Sequence, residues 1–281
     1  MIPMIILGLT VIVTVALIYG SRRWKSSTAE MHSRLQAASL PVGRKTYSPD
    51  ELIGLPAPVQ KYLRAVLKEG QAIVSGVHIE LSGTINMSAT GESWKRFTST
   101  QQVIAQRPGF DWEGRIEIMP GLTGRVHDAY IAGEGILHAT LFGLISLANL
   151  RGTPEIAQGE LMRFLAEAAW YPTVLLPGQV VQWKAVDDFS ANATLKDGKT
   201  AATLLFRFDE NGLIESVRAE ARGRTVGGAV IPTPWEGRWS NYERRDGMRI
   251  PTGGEVAWML PEGPMPYFRG RITSLRYEFA Q

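Results

Sequence analysis

His127 and Asp128 stand side by side in "GRVHDAYI", the residue types of an acid–base pair. General acid–base chemistry needs such groups within hydrogen-bond reach of one substrate. The residues around them alternate, however, and neighbours on a strand point to opposite faces of its sheet. Glu167 is a third group of the same chemistry, in a segment of helical spacing. Asp128, Glu167 and His127 are therefore the catalytic candidates, and the plain reading of each is a strand or helix residue with a structural partner. The remaining histidines, His32, His78 and His138, lack the spacing of a metal site, so no metal is expected.

Arg163 and Glu167 lie four apart in "GELMRFLAEAAWYPTVLLPG", where Leu161, Phe164, Leu165 and Ala168 form an apolar face. On an exposed helix such a pair contributes only a few tenths of a kcal/mol, about 0.2–0.5. A helix with apolar residues around most of its circumference packs against something, and there the pair orients the helix or lines a polar spot. Tryptophans at strand or junction positions, Trp112, Trp170, Trp183, Trp235, Trp239 and Trp258, suit either a core or the wall of an apolar pocket. The candidate ligand-binding set is Trp112, Tyr130, Arg163, Phe164, Glu167 and Trp170, with Arg163 near a polar or anionic end.

Several chemistries are excluded or disfavoured. The chain has no cysteine, which removes disulfides, thiolate metal sites and cysteine nucleophiles. No GxSxG elbow and no GxGxxG is present, and no cofactor is expected. "ATLKDGKT" satisfies a loose phosphate-loop pattern, but its Asp197-Gly198 turn leads into alternating Thr200, Ala202, Leu204, Phe206 and Phe208, which reads as a hairpin. The net charge of +3 comes from scattered Lys and Arg, so nucleic acid is not an expected partner.

The elements that must hold these residues are mostly strands. "GVHIELSGTINM" and "FDWEGRIEIM" alternate apolar and polar residues, the mark of half-buried antiparallel strands. After residue 177 the alternation resumes, punctuated by Asp197-Gly198, Asn211-Gly212, Asp246-Gly247 and Gly253-Gly254. Ser48-Pro49 opens a helical segment, and Pro56 and Pro58 restart a second one whose apolar stripe, Val59, Tyr62, Leu63, Val66 and Leu67, closes at Gly70. The expected fold is α+β and mainly antiparallel β: a curled half-barrel sheet covered by a central helical insert at about 141–177, in one domain spanning 48–281.

Residues 1–20 carry no charged side chain. As a helix they reach about 30 Å, the thickness of a hydrocarbon core. With no basic residue before so long a run, a retained transmembrane anchor is expected rather than a cleaved signal peptide. Residues 21–47 read as a polar juxtamembrane linker. Arg22, Arg23 and Lys25 directly after the run favour a cytoplasmic domain.

"LPAPVQKYLRAVL", "PGFDWEG", "ELMRFLAEAAWYPTVLLP", "GMRIPTGGEVAW" and "YFRGRITSLRYEF" together resemble a bacterial family of single-span membrane proteins classed as a domain of unknown function. The resemblance covers roughly residues 52–279 and implies no reaction. The order of elements is also similar to that of bacterial lipoprotein carriers, in which helices cover a half-barrel that holds acyl chains. That analogy implies a periplasmic domain, against the flanking charges. Three readings follow: a membrane-anchored protein binding a lipid or other hydrophobic small molecule; a hydrolase-type enzyme in the same cavity; or a scaffold subunit of a membrane complex.

Overall fold

Each alternating segment leaves an apolar face that must be covered, and here one sheet supplies most of the cover by curling. The computed structural model describes residues 2–88, 90–178 and 180–281. Its strands are β1 (Val74–Asn86), β2 (Trp94–Ile104), β3 (Gly109–Met119), β4 (Leu122–Ile131), β5 (Glu134–Leu141), β6 (Ile145–Arg151) and β7 (Val181–Asp187). They continue as β8 (Ser190–Asp197), β9 (Thr200–Phe208), β10 (Ile214–Val226), β11 (Ala229–Arg245), β12 (Met248–Leu260) and β13 (Gly263–Phe279). The helices are α1 (Ile2–Ala37), α2 (Ala57–Val66) and α3 (Pro154–Glu167).

The described residues form a single antiparallel sheet of thirteen strands, ordered β6-β5-β4-β3-β2-β1-β13-β12-β11-β10-β9-β8-β7. The first and last strands pair in its middle, with Val77 opposite Tyr277 and Leu81 opposite Ile272. β6 and β7 are unpaired edges, so the sheet curls without closing. Because neighbours are antiparallel, the β1–β2, β3–β4, β5–β6 and β12–β13 turns share one end of the sheet's first half. The β2–β3 and β4–β5 turns share the other, and the curl brings Asp197 of the β8–β9 turn against Arg107 and Tyr130 there.

The one long connection in the sheet, β6 to β7, carries α3 and two short 3-10 segments, Ala168–Trp170 and Pro172–Leu175. This is the central insert that fills the hollow. Thr153 caps α3 by accepting the Ile156 N–H, and Pro154 occupies its first turn. Leu161, Phe164, Leu165, Ala168, Ala169 and Tyr171 are fully buried. Gly135 on β5 is required by this packing: a Cβ there would fall 2.6 Å from the Ala157 amide nitrogen. Residues 141–151, placed by spacing in the insert, instead complete β5 and form β6, paired through Leu141–Ile145 and Ile136–Arg151. Leu141, Leu144, Leu147 and Leu150 recur every third residue and imitate a helix face, but Leu141 ends β5, Leu144 lies in the turn, and Leu147 and Leu150 belong to β6, which pairs with β5.

α1 runs unbroken for 36 residues, about 54 Å. From Met4 to Tyr19 its large apolar side chains are exposed, and the helix is long and apolar enough to cross a membrane. Beyond Gly20 the same helix lies on the outer face of the sheet, where Trp24, Met31 and Leu35 are buried. Leu35, Met31 and Ala38 pack with Ile104, Ala129, Ile131 and Ile136. The stretch of sheet around β3 and β4 is therefore covered twice, by α3 inside and α1 outside. That double cover is why Asp111, on the polar face of β3, is as buried as Phe110 and Trp112 beside it, while Arg115 and Glu117 further along are exposed.

Candidate functional site: a tryptophan-walled cavity over a buried polar cluster

Period two along β3 turns Phe110 and Trp112 inward, and the same period on β4 turns Asp128 inward and His127 outward. From the other side α3 presents Arg163, Ala166 and Glu167, and the 3-10 turn after it presents Trp170. Between these elements and β10–β13 lies a cavity of about 130 Å³, walled by Trp112, Trp170, Trp235, Trp239, Tyr267 and Phe268. Trp170 meets Trp239 edge-on with ring centroids 5.1 Å apart. Trp235 donates its indole N–H to the Tyr267 hydroxyl at 2.8 Å. The indole N–H groups of Trp112, Trp170 and Trp239 are buried and have no hydrogen-bond partner. A buried donor left unpaired costs about 1–3 kcal/mol, and three such donors belong to residues that line this one cavity.

The polar floor is built around Arg163. Its Nε donates to Glu167 Oε1 at 2.7 Å, Nη1 to Asp128 Oδ2 at 2.7 Å and Nη2 to Gln101 Oε1 at 3.1 Å. Gln101 in turn donates to Glu167 Oε2 at 2.6 Å. The guanidinium also sits over Phe110 at 4.8 Å and Trp112 at 5.4 Å. Burial alone would lower its pKa, but Glu167, Asp128 and Glu160 together raise it, so this cation is permanent.

Glu160, one turn earlier on α3, behaves differently. Burial, and after it the Asp128 charge, push its carboxyl up to about 8, against the opposing pull of Arg222 and Arg163. Arg222 approaches Glu160 Oε1 only to 3.6 Å, while its guanidinium lies 5.0 Å from the Trp235 ring centroid. Glu160 Oε2 has no donor partner. Asp128 lies within hydrogen-bond reach of the Glu160 carboxyl. The floor thus gathers Arg163 and Arg222 with the carboxyl groups of Asp128, Glu160 and Glu167.

A second cluster lies on the opposite face, under α1. Asp111 takes His127 Nδ1 at 2.9 Å and His32 Nε2 at 3.1 Å. His127 Nε2 meets the Thr28 hydroxyl at 2.9 Å. Trp24 stacks on His127 with centroids 4.4 Å apart and donates to Glu113 at 2.6 Å. Burial would raise the Asp111 pKa, but the two imidazoles hold it below the ordinary aspartate value. His127 and Asp111 are both fully buried. The cluster fastens α1 to β3 and β4.

Of the residues singled out in the sequence, Trp112, Asp128, Arg163, Glu167 and Trp170 meet at the cavity. Tyr130 and Phe164 are buried outside its lining: Tyr130 donates to Asp197 at 3.0 Å and Phe164 packs on Tyr171. His127 faces α1 and is separated from Asp128 by the sheet itself. Sequence reasoning did not single out Gln101, Glu160 or Arg222. Gln101 had a signal, since it sits on the inward set Phe97, Ser99, Gln101, Val103 of β2, where a polar amide is out of place.

Comparison with known proteins adds the lineage. No curated protein matches the chain. Among solved structures, a LolA superfamily protein from Nitrosomonas europaea is similar at 11% identity and a TM-score of 0.42, over 80% of this chain and 94% of that one. A beta-barrel-like protein of domain of unknown function DUF1849 from Brucella abortus is similar at 9% identity and a TM-score of 0.28, over 73% and 99%. The family model described as "Family of unknown function (DUF6920)" matches residues 53–277, most of the length of the sheet domain, and the chain belongs to that family.

Proposed function

We propose that the protein is held in a membrane by α1 and binds a lipid or other hydrophobic small molecule in the tryptophan-walled cavity. The observation that supports this reading most is the set of three unpartnered indole N–H groups, from Trp112, Trp170 and Trp239, around a chamber with aromatic walls and a polar floor. Aromatic walls favour an apolar body, and the three donors favour a ligand whose polar end accepts hydrogen bonds.

Size sets a condition on the ligand. A cavity of about 130 Å³ is comparable to one of about 150 Å³ that takes a benzene. A ring or a short stretch of chain fits as the cavity stands; a longer acyl chain requires α3 and the 3-10 turn behind it to move off β10–β13. Arg163 is already engaged by Glu167, Asp128 and Gln101, so its role is to fix α3 over the sheet rather than to receive the ligand's charge.

Native mass spectrometry of the full chain, released from membranes in mild detergent, tests the reading. The expected result is an adduct of a hydrophobic molecule that diminishes in Ala166→Leu, which fills the cavity from α3. A bare mass for the wild-type chain, unchanged on adding short-chain lipid or fatty acid, would overturn it.

A further inference from the structure

We infer that the end of the sheet carrying the β3–β4 and β5–β6 turns docks into the bilayer interface beside the anchor helix, as a second membrane contact. This rests on the reading that α1 spans the membrane. The apolar part of α1 ends at Gly20, and Gly20 touches the β5–β6 turn backbone to backbone: a Cβ on Gly20 would collide with the Phe142 carbonyl oxygen, and one on Gly143 with the Gly20 carbonyl. The turn is therefore fixed at the depth where the helix leaves the hydrocarbon, not merely near it in sequence.

What that end exposes fits the location. Phe142 and Ile145 at the β5–β6 turn, Met119 at the β3–β4 turn and Met87 after β1 are 39–57% exposed, although each is a large apolar side chain. In water such a rim is unfavourable; at an acyl–headgroup boundary it is stabilising. Tyr19, at the end of the span, is the amphipathic ring that such a boundary attracts. Arg22, Arg23 and Lys25 follow it on the exposed surface of α1, within reach of anionic headgroups. A lipid surface, rather than a protein partner, is the occupant that the covalently attached anchor already places there.

The absence of cysteine allows a direct test in the intact chain. Single variants Ile145→Cys, Met119→Cys, Phe189→Cys and Ile12→Cys carry an environment-sensitive fluorophore in vesicles of phosphatidylcholine and phosphatidylglycerol. Quenching is read with iodide from the water and with doxyl-labelled lipids from the bilayer. Phe189, exposed at the β7–β8 turn on the opposite edge of the sheet, is the aqueous control, and Ile12 reports the span itself. The expected result is that labels at 145 and 119 lose iodide quenching and gain quenching by shallow doxyl lipids, while 189 does the reverse. If 12 is quenched by deep doxyl lipids but 145 and 119 behave like 189, docking is wrong and the anchor stands. If 12 escapes the doxyl lipids, both fall. Labels shielded from iodide yet untouched by doxyl lipids would mean a protein covers the rim, which also overturns the inference.

Discussion

Arg163 on α3 donates to Asp128 on β4 at 2.7 Å, joining the insert to the inner face of the sheet through a charge pair that is largely out of water. Removing the cation would leave Asp128 and Glu167 facing each other without it. Truncating one member of a buried pair costs about 3–5 kcal/mol. Arg163→Met should therefore lower unfolding free energy by about 3 kcal/mol, measured by urea denaturation. Arg163→Lys should recover only part of it, because a single ammonium cannot reach Glu167, Asp128 and Gln101 in the planar fork that Arg163 uses.

Glu160 gives the fold a pH dependence of definite sign. Its folded value of about 8 lies above the ordinary 4.5, so between those limits the folded chain binds more protons than the unfolded one. Stability then falls as pH rises through that window and levels off above it. Glu160→Gln, which keeps a neutral donor toward Asp128, should flatten the slope and raise stability above pH 8. Melting temperatures of the two proteins across this window check it.

The outer cluster should respond in the opposite direction. Asp111 is held below the ordinary aspartate value, so its contribution is complete above that value and disappears as pH falls through the lower folded one. Acid should release α1 from β3 and β4 before the sheet opens, seen as faster amide exchange across residues 21–37. Trp24→Ala should produce the same local release at neutral pH, with a loss of about 3 kcal/mol for the large-to-small change.

Ala166 lines the cavity from α3. Leucine is a good helix former and would add its isobutyl group to free space rather than to packed atoms. Ala166→Leu should leave the melting temperature near that of the parent and abolish retention of a hydrophobic ligand. A variant that unfolds instead would mean the space is already filled by neighbouring side chains.

How much of this was legible beforehand follows from where each signal lives. Alternation in "FDWEGRIEIM" marks a strand because one face is apolar and one polar, and β3 is that strand. The central α3 was readable from Leu161, Phe164 and Leu165 at helical spacing, but its start was not: apolar spacing puts the insert from about 141, while Thr153 and Pro154 open the helix. The outward half of α1 was not: among polar neighbours, Trp24, Thr28, Met31 and Leu35 are its only regular face, too sparse to distinguish a docked helix from a linker. Nor could sequence spacing give the polar clusters. Arg163 reaches Gln101 across 62 positions and Asp128 across 35, while His127 finds Asp111 and Thr28 instead of its neighbour. Those contacts depend on strand order and on which layer covers each face, which one chain segment does not encode alone.

The most direct test of a ligand in the cavity is the indole N–H signal of individual tryptophans, followed by ¹⁵N–¹H NMR of the full chain in nanodiscs and assigned by single Trp→Phe variants. On titration with a short fatty acid such as butyrate, Trp112, Trp170 and Trp239 should shift together and saturably, as their free donors find an acceptor. Trp183, which already donates to the Leu175 carbonyl at 2.9 Å, should stay where it is. If those three signals do not move, or if all eight tryptophans drift in parallel, the cavity is not a binding site for such a molecule.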